Sequence, residues 1–561
     1  MKKRNGEGLL VAMTGTSGNM GREALTQTLE SGAVRAVRVL LTRKPRNDKL
    51  AARLQREYKD RIEIVRGGTD EAVACAALVK GADLVVHMAA VIPPKSDADP
   101  AASYRANVTG TQTLAAAVAA MPEQAAFVHV STMALYGNRD RKHPWGRVGD
   151  PLLPSAFDAY AMHKLRGEYG VVEAGLQRWA VLRQTAMLHP NMLKDNMGDG
   201  LMFHTPFNTP LEWVSARDSG YLIRRIAERE AAGELEGFWK HIYNIGGGAR
   251  GRVTGFDTFE DGFSVIGGGC KKFFRPDWCA TRNFHGLWFY DADALQTLFG
   301  YQRDGVKEYW QAIADAHKFY RAAKILPAKL ISALAIKPLL RHKNSPRRWL
   351  KDGDVRALAC FGSEEEARSL PEKWKDFPLL AESEDYDRLR DVTRAKEDGL
   401  LLCHGYDDTK PVSAWTKDDY RSAAAFRGGA FLDGGGPYEK ALWADHTGLN
   451  FEMTPYAALK GGYWSPARTF PAPWDFDRLA KHIPYYAQVW YDSHGREENA
   501  CYDLDEDGRG TVHYFRSDDK EARPDGADMN VQGGTGAPEE GEMPAKSNVT
   551  APEEGGEEAA V

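Results

Sequence analysis

The sequence predicts an α/β fold in which helices cover both faces of a parallel sheet. Short apolar strand patterns alternate with helical patterns along the first half of the chain, and the first strand runs into a glycine-rich turn. With 561 residues, the chain is long enough to bury more than one core. We therefore expect two or three domains rather than one.

The glycine-rich turn follows the first predicted strand, residues 9–13, and precedes a helical pattern that starts at Arg22. Its glycines are Gly15, Gly18 and Gly21. Glycines allow a sharp turn and a close approach of the backbone, and the helix N-terminus behind them favours an anion. The turn is compatible with a dinucleotide pyrophosphate or with a simple turn, and the neighbouring elements decide between the two.

The second predicted strand, Ala36 to Thr42, bears on the choice of dinucleotide. A carboxylate at the end of this strand usually accepts the ribose hydroxyls of NAD, whereas basic groups hold the 2′-phosphate of NADP. Here the carboxylate is absent, Arg43, Lys44 and Arg46 follow the strand, and Arg22 follows the last glycine. We therefore favour NADP(H), with NAD as the alternative, over a loop that binds no ligand.

Three further strands complete the predicted sheet: Arg61 to Val65, Asp83 to Ala90, and Phe127 to Thr132. Asp70, just after the third strand, is expected either to contact an adenine edge or to cap a helix. His87, within the fourth strand, is expected to be a hydrogen-bonded core histidine rather than a ligand.

Tyr160 and Lys164 lie four residues apart in a predicted helix, so their side chains share one face. A phenol is a poor general base at neutral pH, but a neighbouring ammonium stabilises the phenolate and lowers its pKa. The spacing alone is common by chance. It gains weight from the order of the parts, since the glycine turn comes first and the hydroxyls of Ser131 and Thr132 close the fifth strand.

Several segments carry a resemblance to a known family: Thr14-Gly15-x-x-Gly18-x-x-Gly21, His87-Met88-Ala89-Ala90, Asn107-Val108-x-Gly110-Thr111, Val130 to Gly137, Tyr160-x-x-x-Lys164, Leu182-Arg183 and Tyr243 to Gly248. Residues from about Leu9 to Ile313 resemble the extended short-chain dehydrogenase/reductase family, also called the NAD-dependent epimerase/dehydratase family. The resemblance implies a Rossmann-type doubly wound sheet and a small substrate-capping region after Arg183.

The resemblance also implies roles for individual residues. Tyr160 would be the acid/base, Lys164 its activator and ribose anchor, and Thr132 the hydroxyl that orients the substrate oxygen. Asn107 would help to order the active-site helix and a water. The residues expected to hold the cofactor are Gly15, Ser17, Gly18, Met20, Gly21, Arg22, Arg43, Asp70, Ala89, Ala90 and Lys164. No metal is expected.

A departure from the family pattern narrows the reaction. Members that remove water from nucleotide sugars carry an Asp-Glu pair after the catalytic threonine, and this chain has Met133-Ala134 there. We therefore expect an NAD(P)-dependent oxidoreductase acting on an alcohol or ketone. The stretch Asn191 to Trp213 is rich in Met, Phe and Trp, which favours an apolar substrate. The alternatives are an NAD-dependent nucleotide-sugar epimerase and a non-catalytic dinucleotide-binding sensor or scaffold.

The rest of the chain is predicted to divide at about residue 320. We expect the dinucleotide-binding domain over 1–320, a basic linker over 321–348, a smaller C-terminal α+β domain over 349–515, and a disordered acidic tail over 516–561. The linker is expected to pack on a domain, with an anionic membrane surface as the alternative. The C-terminal domain resembles a zinc-ribbon module that has lost its metal ligands. Its expected ligand positions carry Ala444, Leu449, Ser465 and Arg468.

Composition excludes several other classes of protein. The net charge of -5 argues against a nucleic-acid partner, and six cysteines without a Cys-x-x-Cys pair argue against a disulfide framework. We find neither a signal peptide nor an apolar run that could span a membrane. The sequence therefore predicts a cytoplasmic protein with a small-molecule substrate, and a homodimer is one option for its assembly.

Overall fold

A seven-stranded parallel sheet lies at the centre of the computed structural model, which describes residues 8–192, 199–317, 323–466, 474–504 and 510–516. The strands of the N-terminal part are β1 (Leu9–Thr14), β2 (Val34–Leu41), β3 (Ile62–Arg66), β4 (Leu84–His87), β5 (Ala126–Thr132), β6 (Trp145–Gly146), β7 (Trp179–Gln184), β8 (Ala186–Leu188), β9 (Pro210–Ser215), β10 (His241–Ile245), β11 (Arg252–Thr254) and β12 (Trp288–Phe289). The order in the sheet is β10-β7-β5-β4-β1-β2-β3, and all of its strands run parallel. This confirms the predicted fold class.

Helices cover both faces of this sheet. The first seven are α1 (Asn19–Leu29), α2 (Pro45–Tyr58), α3 (Ala72–Val79), α4 (Lys95–Ala98), α5 (Pro100–Tyr104), α6 (Gly110–Ala119) and α7 (Ala159–Val172). A π-helical turn, Arg105–Thr109, joins α5 to α6. Later helices of this part are Ala216–Ala232, Gly255–Ser264, Cys270–Phe273, Asp293–Phe299 and Val306–Ala316. Helix α1 begins at Asn19, three residues before the predicted start at Arg22, because the turn passes directly into the helix.

The central strands β1, β4 and β5 are mostly apolar because the sheet is buried on both faces there. Successive residues of β1 point to opposite sides, so Val11 and Met13 join one apolar cluster and Ala12 joins the other. All three are fully buried. The small sheets β11-β9-β8 and β12-β6 are separate from the large sheet. The substrate-capping region stays a prediction.

The C-terminal part combines short helices with two small antiparallel sheets, as expected for its fold class. One sheet contains β13 (Ala430–Asp433), β14 (Ala441–Ala444) and β15 (Asn450–Met453), and the other contains β16 (Ala500–Leu504) and β17 (Gly510–Tyr514). The α-helices are Ala328–Ile331, Pro346–Asp352, Arg356–Phe361, Glu364–Ser369, Tyr386–Leu389, Lys417–Phe426, Phe476–His482 and Pro484–Trp490.

The C-terminal part packs closely on the N-terminal part within one compact unit. Arg183, near the carboxyl end of β7, donates to Glu168 Oε1 (2.6 Å) and to the carbonyl oxygen of Gly461 (2.7 Å). The Tyr463 hydroxyl donates to the same carboxylate at 2.8 Å. The domain boundaries remain a prediction, and residues 517–561, which include most of the predicted acidic tail, lie outside the described residues.

The segment that resembles a zinc ribbon is held by a carboxylate. Ser465 Oγ donates to Asp445 Oδ2 (3.0 Å), and the backbone N–H of Leu449 donates to Asp445 Oδ1 (3.1 Å). The fourth expected ligand position, Arg468, lies outside the described residues. The zinc-ribbon resemblance stays a prediction.

Candidate active site

A cavity of about 1430 Å³ opens at the carboxyl ends of the central strands. It is lined by the glycine turn after β1, by residues that follow β4, and by the last residues of β5 and β7. This edge is where parallel α/β sheets bind ligands. Thr132, Tyr160 and Lys164 all line this one cavity, together with Gly15, Ser17, Gly18, Met20, Gly21, Arg22, Asp70, Ala89 and Ala90.

The glycine turn forms a cradle that side chains would fill. Gly15 has a φ of +74°, and a Cβ there would lie 2.6 Å from the backbone nitrogen of Ala89. A Cβ at Gly21 would lie 2.2 Å from the carbonyl oxygen of Gly15. A Cβ at Gly18 would meet only that oxygen, at 3.3 Å, so Gly18 has space beside it. Gly18 is also the N-cap of α1 and provides no side-chain cap, so the turn fits a pyrophosphate at the helix N-terminus.

The hydroxyl of Thr14 ties the end of β1 to the end of β4. Its oxygen accepts from the backbone N–H groups of Met88 (3.2 Å) and Ala89 (3.1 Å), and its proton is shared with Nδ1 of His87 (2.7 Å). Nε2 of His87 bonds the Thr111 hydroxyl at 2.9 Å. The prediction that His87 is a hydrogen-bonded core histidine is therefore confirmed. The same bonds explain why β4 ends at His87 and not at Ala90, because the next N–H groups serve Thr14 instead of a strand.

Tyr160 and Thr132 meet across the cavity wall, where α7 faces the end of β5. Burial raises the pKa of Tyr160 to about 12, although the hydrogen bond from Thr132 lowers it in part. The Thr132 oxygen also accepts from the backbone N–H of Ala134 at 3.2 Å. The expected lowering of the phenol pKa by Lys164 is not seen in this structure. The ammonium is hydrogen-bonded to Val130 and His129, and the loss of hydration outweighs the hydrogen bond from Thr132.

Lys164 is buried and points to strand β5. Its ammonium donates to the carbonyl oxygen of Val130 (2.8 Å) and to Nε2 of His129 (3.2 Å). Burial lowers the pKa of Lys164 to about 8, and Glu168 opposes this shift. The sequence predicted the lysine, but it did not point to His129 as its neighbour.

Asn107 acts on the cavity through the backbone. Its side chain accepts from the N–H of Val91 (2.9 Å) and donates to the carbonyl oxygen of Val91 (2.8 Å). It also donates to Ser103 Oγ at 3.1 Å. The residue lies in the π-helical turn and is buried, so it fixes the loop after β4 where that loop borders the cavity.

Basic residues surround the end of the cavity near β2. Arg22, Lys44 and Arg46 line the main cavity, and an adjoining cavity of about 340 Å³ is lined by Arg22, Arg46, Lys49 and Arg53 as well as Ser17, Asn47 and Leu50. Arg43 is absent from both linings, because its guanidinium is paired with Glu71 at 2.7 Å. Asp70 lines the main cavity, whereas Glu71 is the N-cap of α3, so the helix-cap alternative for Asp70 is wrong.

Several buried polar atoms on the cavity wall have no hydrogen-bond partner among the described residues. They include Ser131 Oγ, Ser155 Oγ, Gln184 Oε1 and Trp310 Nε1. Buried polar groups are usually paired in folded proteins, so these atoms are suited to bind a polar ligand group. Ser131 and Gln184 stand at the carboxyl ends of β5 and β7, a position that could have identified them from the sequence.

The cavity wall also carries many apolar residues, some of which the sequence did not indicate. Its apolar and aromatic lining includes Met187, Met192, Leu201, Met202, Leu211, Trp213, Phe259, Phe263, Phe284, Trp310 and Trp349. Four of the cavity residues, Asn344, Trp349, Arg356 and Cys360, come from the C-terminal part. No local pattern in the sequence shows that a segment so distant along the chain returns to this cavity.

Comparison with known proteins agrees with the N-terminal resemblance. The model of the NAD dependent epimerase/dehydratase family matches residues 11–186, which confirms the resemblance over this range. Among curated proteins, none matches the chain in sequence.

Solved structures similar to this chain include three enzymes. A dTDP-glucose 4,6-dehydratase from Bacillus anthracis str. Ames in complex with NAD has 18% identity and a TM-score of 0.44, over 56% of this chain and 98% of that chain. A UDP-glucuronic acid 4-epimerase mutant from Bacillus cereus has 19% identity and a TM-score of 0.41, over 55% of this chain and 100% of that chain. DesIV, a dTDP-glucose 4,6-dehydratase from Streptomyces venezuelae, has 24% identity and a TM-score of 0.42, over 56% of this chain and 100% of that chain.

Within the part of the chain that the structure describes, no helix combines the length and the apolar character needed to cross a bilayer.

Proposed function

We propose that this protein is an NADP(H)-dependent oxidoreductase that interconverts an alcohol and a ketone. One observation carries the proposal: Thr132, Tyr160 and Lys164 line the same cavity as the glycine cradle. A hydroxyl, a phenol and an ammonium are the groups that proton transfer to a carbonyl oxygen requires. Met133 and Ala134 stand where a dehydratase would carry an acid and a base, so simple redox chemistry is favoured over elimination.

The residues of this chain have separate tasks in the proposed reaction. The nicotinamide of the bound cofactor supplies or accepts the hydride. Tyr160 gives its proton to the substrate oxygen in reduction, and its raised pKa keeps that proton in place at neutral pH. Thr132 donates a hydrogen bond to the same substrate oxygen. Lys164 holds a positive charge beneath the site and is suited to anchor the cofactor ribose.

The preference for NADP(H) is supported by the cavity that Arg22, Arg46, Lys49 and Arg53 line. A 2′-phosphate carries negative charge and forms strong hydrogen bonds with arginine. β2 ends without a carboxylate, so the group that usually binds the ribose of NAD is missing. A cytoplasmic location and a homodimer remain predictions.

The proposal is tested by reduction of a panel of ketones with NADPH. Turnover by the purified protein is expected to fall at least ~100-fold in Tyr160→Phe, because the proton donor is lost. Tyr104→Phe is the matched control, since Tyr104 is exposed and does not line the cavity. Equal turnover by wild type and Tyr160→Phe would reject the assignment.

A nucleotide-sugar epimerase with retained NAD is the second candidate, because the matched family includes epimerases. To distinguish the epimerase from the reductase, the protein is denatured directly after purification and the released nucleotide is identified. Stoichiometric NAD supports the epimerase, whereas an empty protein that binds added NADPH supports the reductase. Cofactor binding without turnover in either assay would support the third alternative, a non-catalytic sensor or scaffold.

A further inference from the structure

Residues 342–361, which we name the C-terminal strap, contribute Asn344, Trp349, Arg356 and Cys360 to the cavity wall. Helices Pro346–Asp352 and Arg356–Phe361 belong to it. We propose that this strap is the specificity element of the substrate site and selects uncharged carbonyl compounds that carry a large apolar group. The inference rests on the oxidoreductase function proposed above and names its class of substrate.

The strap is anchored to the segment 199–204, which forms the neighbouring wall. Nε2 of His204 donates to the carbonyl oxygen of Asn344 at 2.8 Å, and Nδ2 of Asn344 donates to the carboxylate of Asp199 at 3.0 Å. The backbone N–H of Gly200 donates to Nδ1 of His342 at 3.3 Å. Because these three bonds hold it against the segment 199–204, the strap is a fixed wall of the cavity.

Trp349 gives this wall its apolar character. Its indole N–H is satisfied by the carbonyl oxygen of Lys343 at 2.7 Å. The His204 ring meets it edge-on with centroids 4.9 Å apart, and the Arg356 guanidinium lies 4.3 Å from its centroid. With its polar atom already bonded, the indole offers only apolar ring surface to a ligand. Such a surface suits an aromatic or branched aliphatic group.

Acidic side chains near the strap make this part of the cavity unfavourable for anions. Asp97, Asp158 and Asp199 all line it. Loss of hydration and the charges of Asp158 and Asp199 raise the pKa of Asp97 to about 6, although Ser96 and Arg356 lower it in part. Asp97 is therefore mostly ionised at pH 7, and the carboxylates would repel the phosphates of a nucleotide sugar.

The cations on this part of the wall do not offset that repulsion. The guanidinium of Arg356 is paired with Asp354 at 2.5 Å. Lys95 and Arg105 also line the cavity, but both are exposed to solvent, where an ion pair contributes little. Asp97 is exposed as well, so the half-buried carboxylates of Asp158 and Asp199 account for most of the repulsion. An uncharged substrate meets neither the repulsion nor the cost of losing phosphate hydration.

The test is steady-state reduction of two ketones with NADPH, butanone as the small one and benzylacetone as the bulky aromatic one. In Trp349→Ala, the ratio of the KM for benzylacetone to the KM for butanone is expected to rise roughly tenfold, because only the bulky ketone reaches the indole. Trp349→Phe should recover most of the loss and shows that the variants fold. Trp374→Ala is the matched control, because its indole also donates to a carbonyl oxygen, that of Phe274, but lies outside the cavity lining.

A second pair of probes tests the charge of the site. Methyl para-acetylbenzoate should have a KM roughly tenfold below that of para-acetylbenzoate, and Asp97→Asn should narrow this gap. An unchanged benzylacetone ratio in Trp349→Ala, or equal KM values for the acid and its ester, would overturn the inference.

Binding of benzylacetone, measured by calorimetry on the full chain with NADP⁺ present, separates the two proposals. One outcome is that wild type binds benzylacetone, that Trp349→Ala binds it roughly tenfold more weakly, and that neither protein reduces a ketone. The strap proposal would then stand, and the oxidoreductase assignment would fail. If ketones are reduced but Trp349→Ala binds and reduces benzylacetone like wild type, the assignment stands and the strap proposal fails.

Discussion

The ammonium of Lys164 lies 3.2 Å from Nε2 of His129, on the strand that also carries Thr132. Burial holds the pKa of His129 well below its ordinary value, so the imidazole is neutral and accepts the hydrogen bond. The lysine therefore has a fixed position at the floor of the cavity. Its hydrogen bonds go to a neutral ring and a backbone carbonyl, and the nearby carboxylate of Glu168 stabilises the charge without a hydrogen bond.

This pairing predicts a specific pattern of stability. His129→Leu leaves a buried ammonium with one acceptor fewer, and we expect the free energy of unfolding to fall by about 1–3 kcal/mol. Adding Lys164→Met to the His129→Leu variant should lower the free energy of unfolding by less than Lys164→Met lowers it in the wild type, because both polar partners are then gone. Urea unfolding of the two single variants and the double variant measures the coupling. Simple additivity of the two losses would contradict the pairing.

The lowered pKa of Lys164 predicts how ketone reduction depends on pH. The ammonium is charged below its pKa of about 8 and neutral above it, whereas Tyr160, with a pKa of about 12, stays protonated across this range. We therefore expect kcat/KM to be level at pH 6.5–7.5 and to fall as the pH rises through roughly 8. Lys164→Arg keeps its charge and should remove this fall. A wild-type profile that rises above pH 8 would exclude the assigned role.

The glycine cradle predicts two different effects of a methyl group. Gly18→Ala has room in the fold, with a single contact at 3.3 Å, and should change the free energy of unfolding by about 1 kcal/mol or less. It should still weaken NADPH binding by at least ~10-fold, because the methyl group occupies the space of the pyrophosphate. Gly21→Ala, with a contact of 2.2 Å, should destabilise the fold itself. Fluorescence titration of NADPH and thermal melts distinguish the two cases.

The basic cavity beside α2 predicts the cofactor preference. Arg46→Ala should raise the Kd for NADPH by at least ~10-fold and change the Kd for NADH by less than about twofold, because only NADPH carries the 2′-phosphate. Arg56→Ala, on the same helix but outside both cavity linings, is the control. If the Kd values for both cofactors rise equally in Arg46→Ala, Arg46 does not recognise the 2′-phosphate.

The sequence predicted the sheet well, because strand and helix patterns are local. The five strands predicted over residues 9–132 were found with ends shifted by at most three residues. The largest shift, at β4, came from the hydroxyl of Thr14, whose long-range bonds no local pattern reveals. The match over residues 11–186 confirms the family resemblance there.

The cavity wall was harder to predict, because it depends on how distant segments pack. Arg43 has the right charge and position after β2, but its guanidinium is paired with Glu71 and does not line the cavity. Trp349 looked like part of a separate domain, because nothing near it in the sequence indicates a ligand. The pKa of Tyr160 could not be inferred from its spacing to Lys164, since the degree of burial decides the balance.

The buried guanidinium of Arg183 joins a strand of the large sheet to the carbonyl oxygen of Gly461, and it has no exposed surface. Trimming the gene to its first 317 codons would strip this arginine of one acceptor and remove the wall that contains Trp349. The shortened protein would expose a large apolar surface and would aggregate. A shorter version of this protein should therefore be made by shortening surface loops, with residues 323–466 retained.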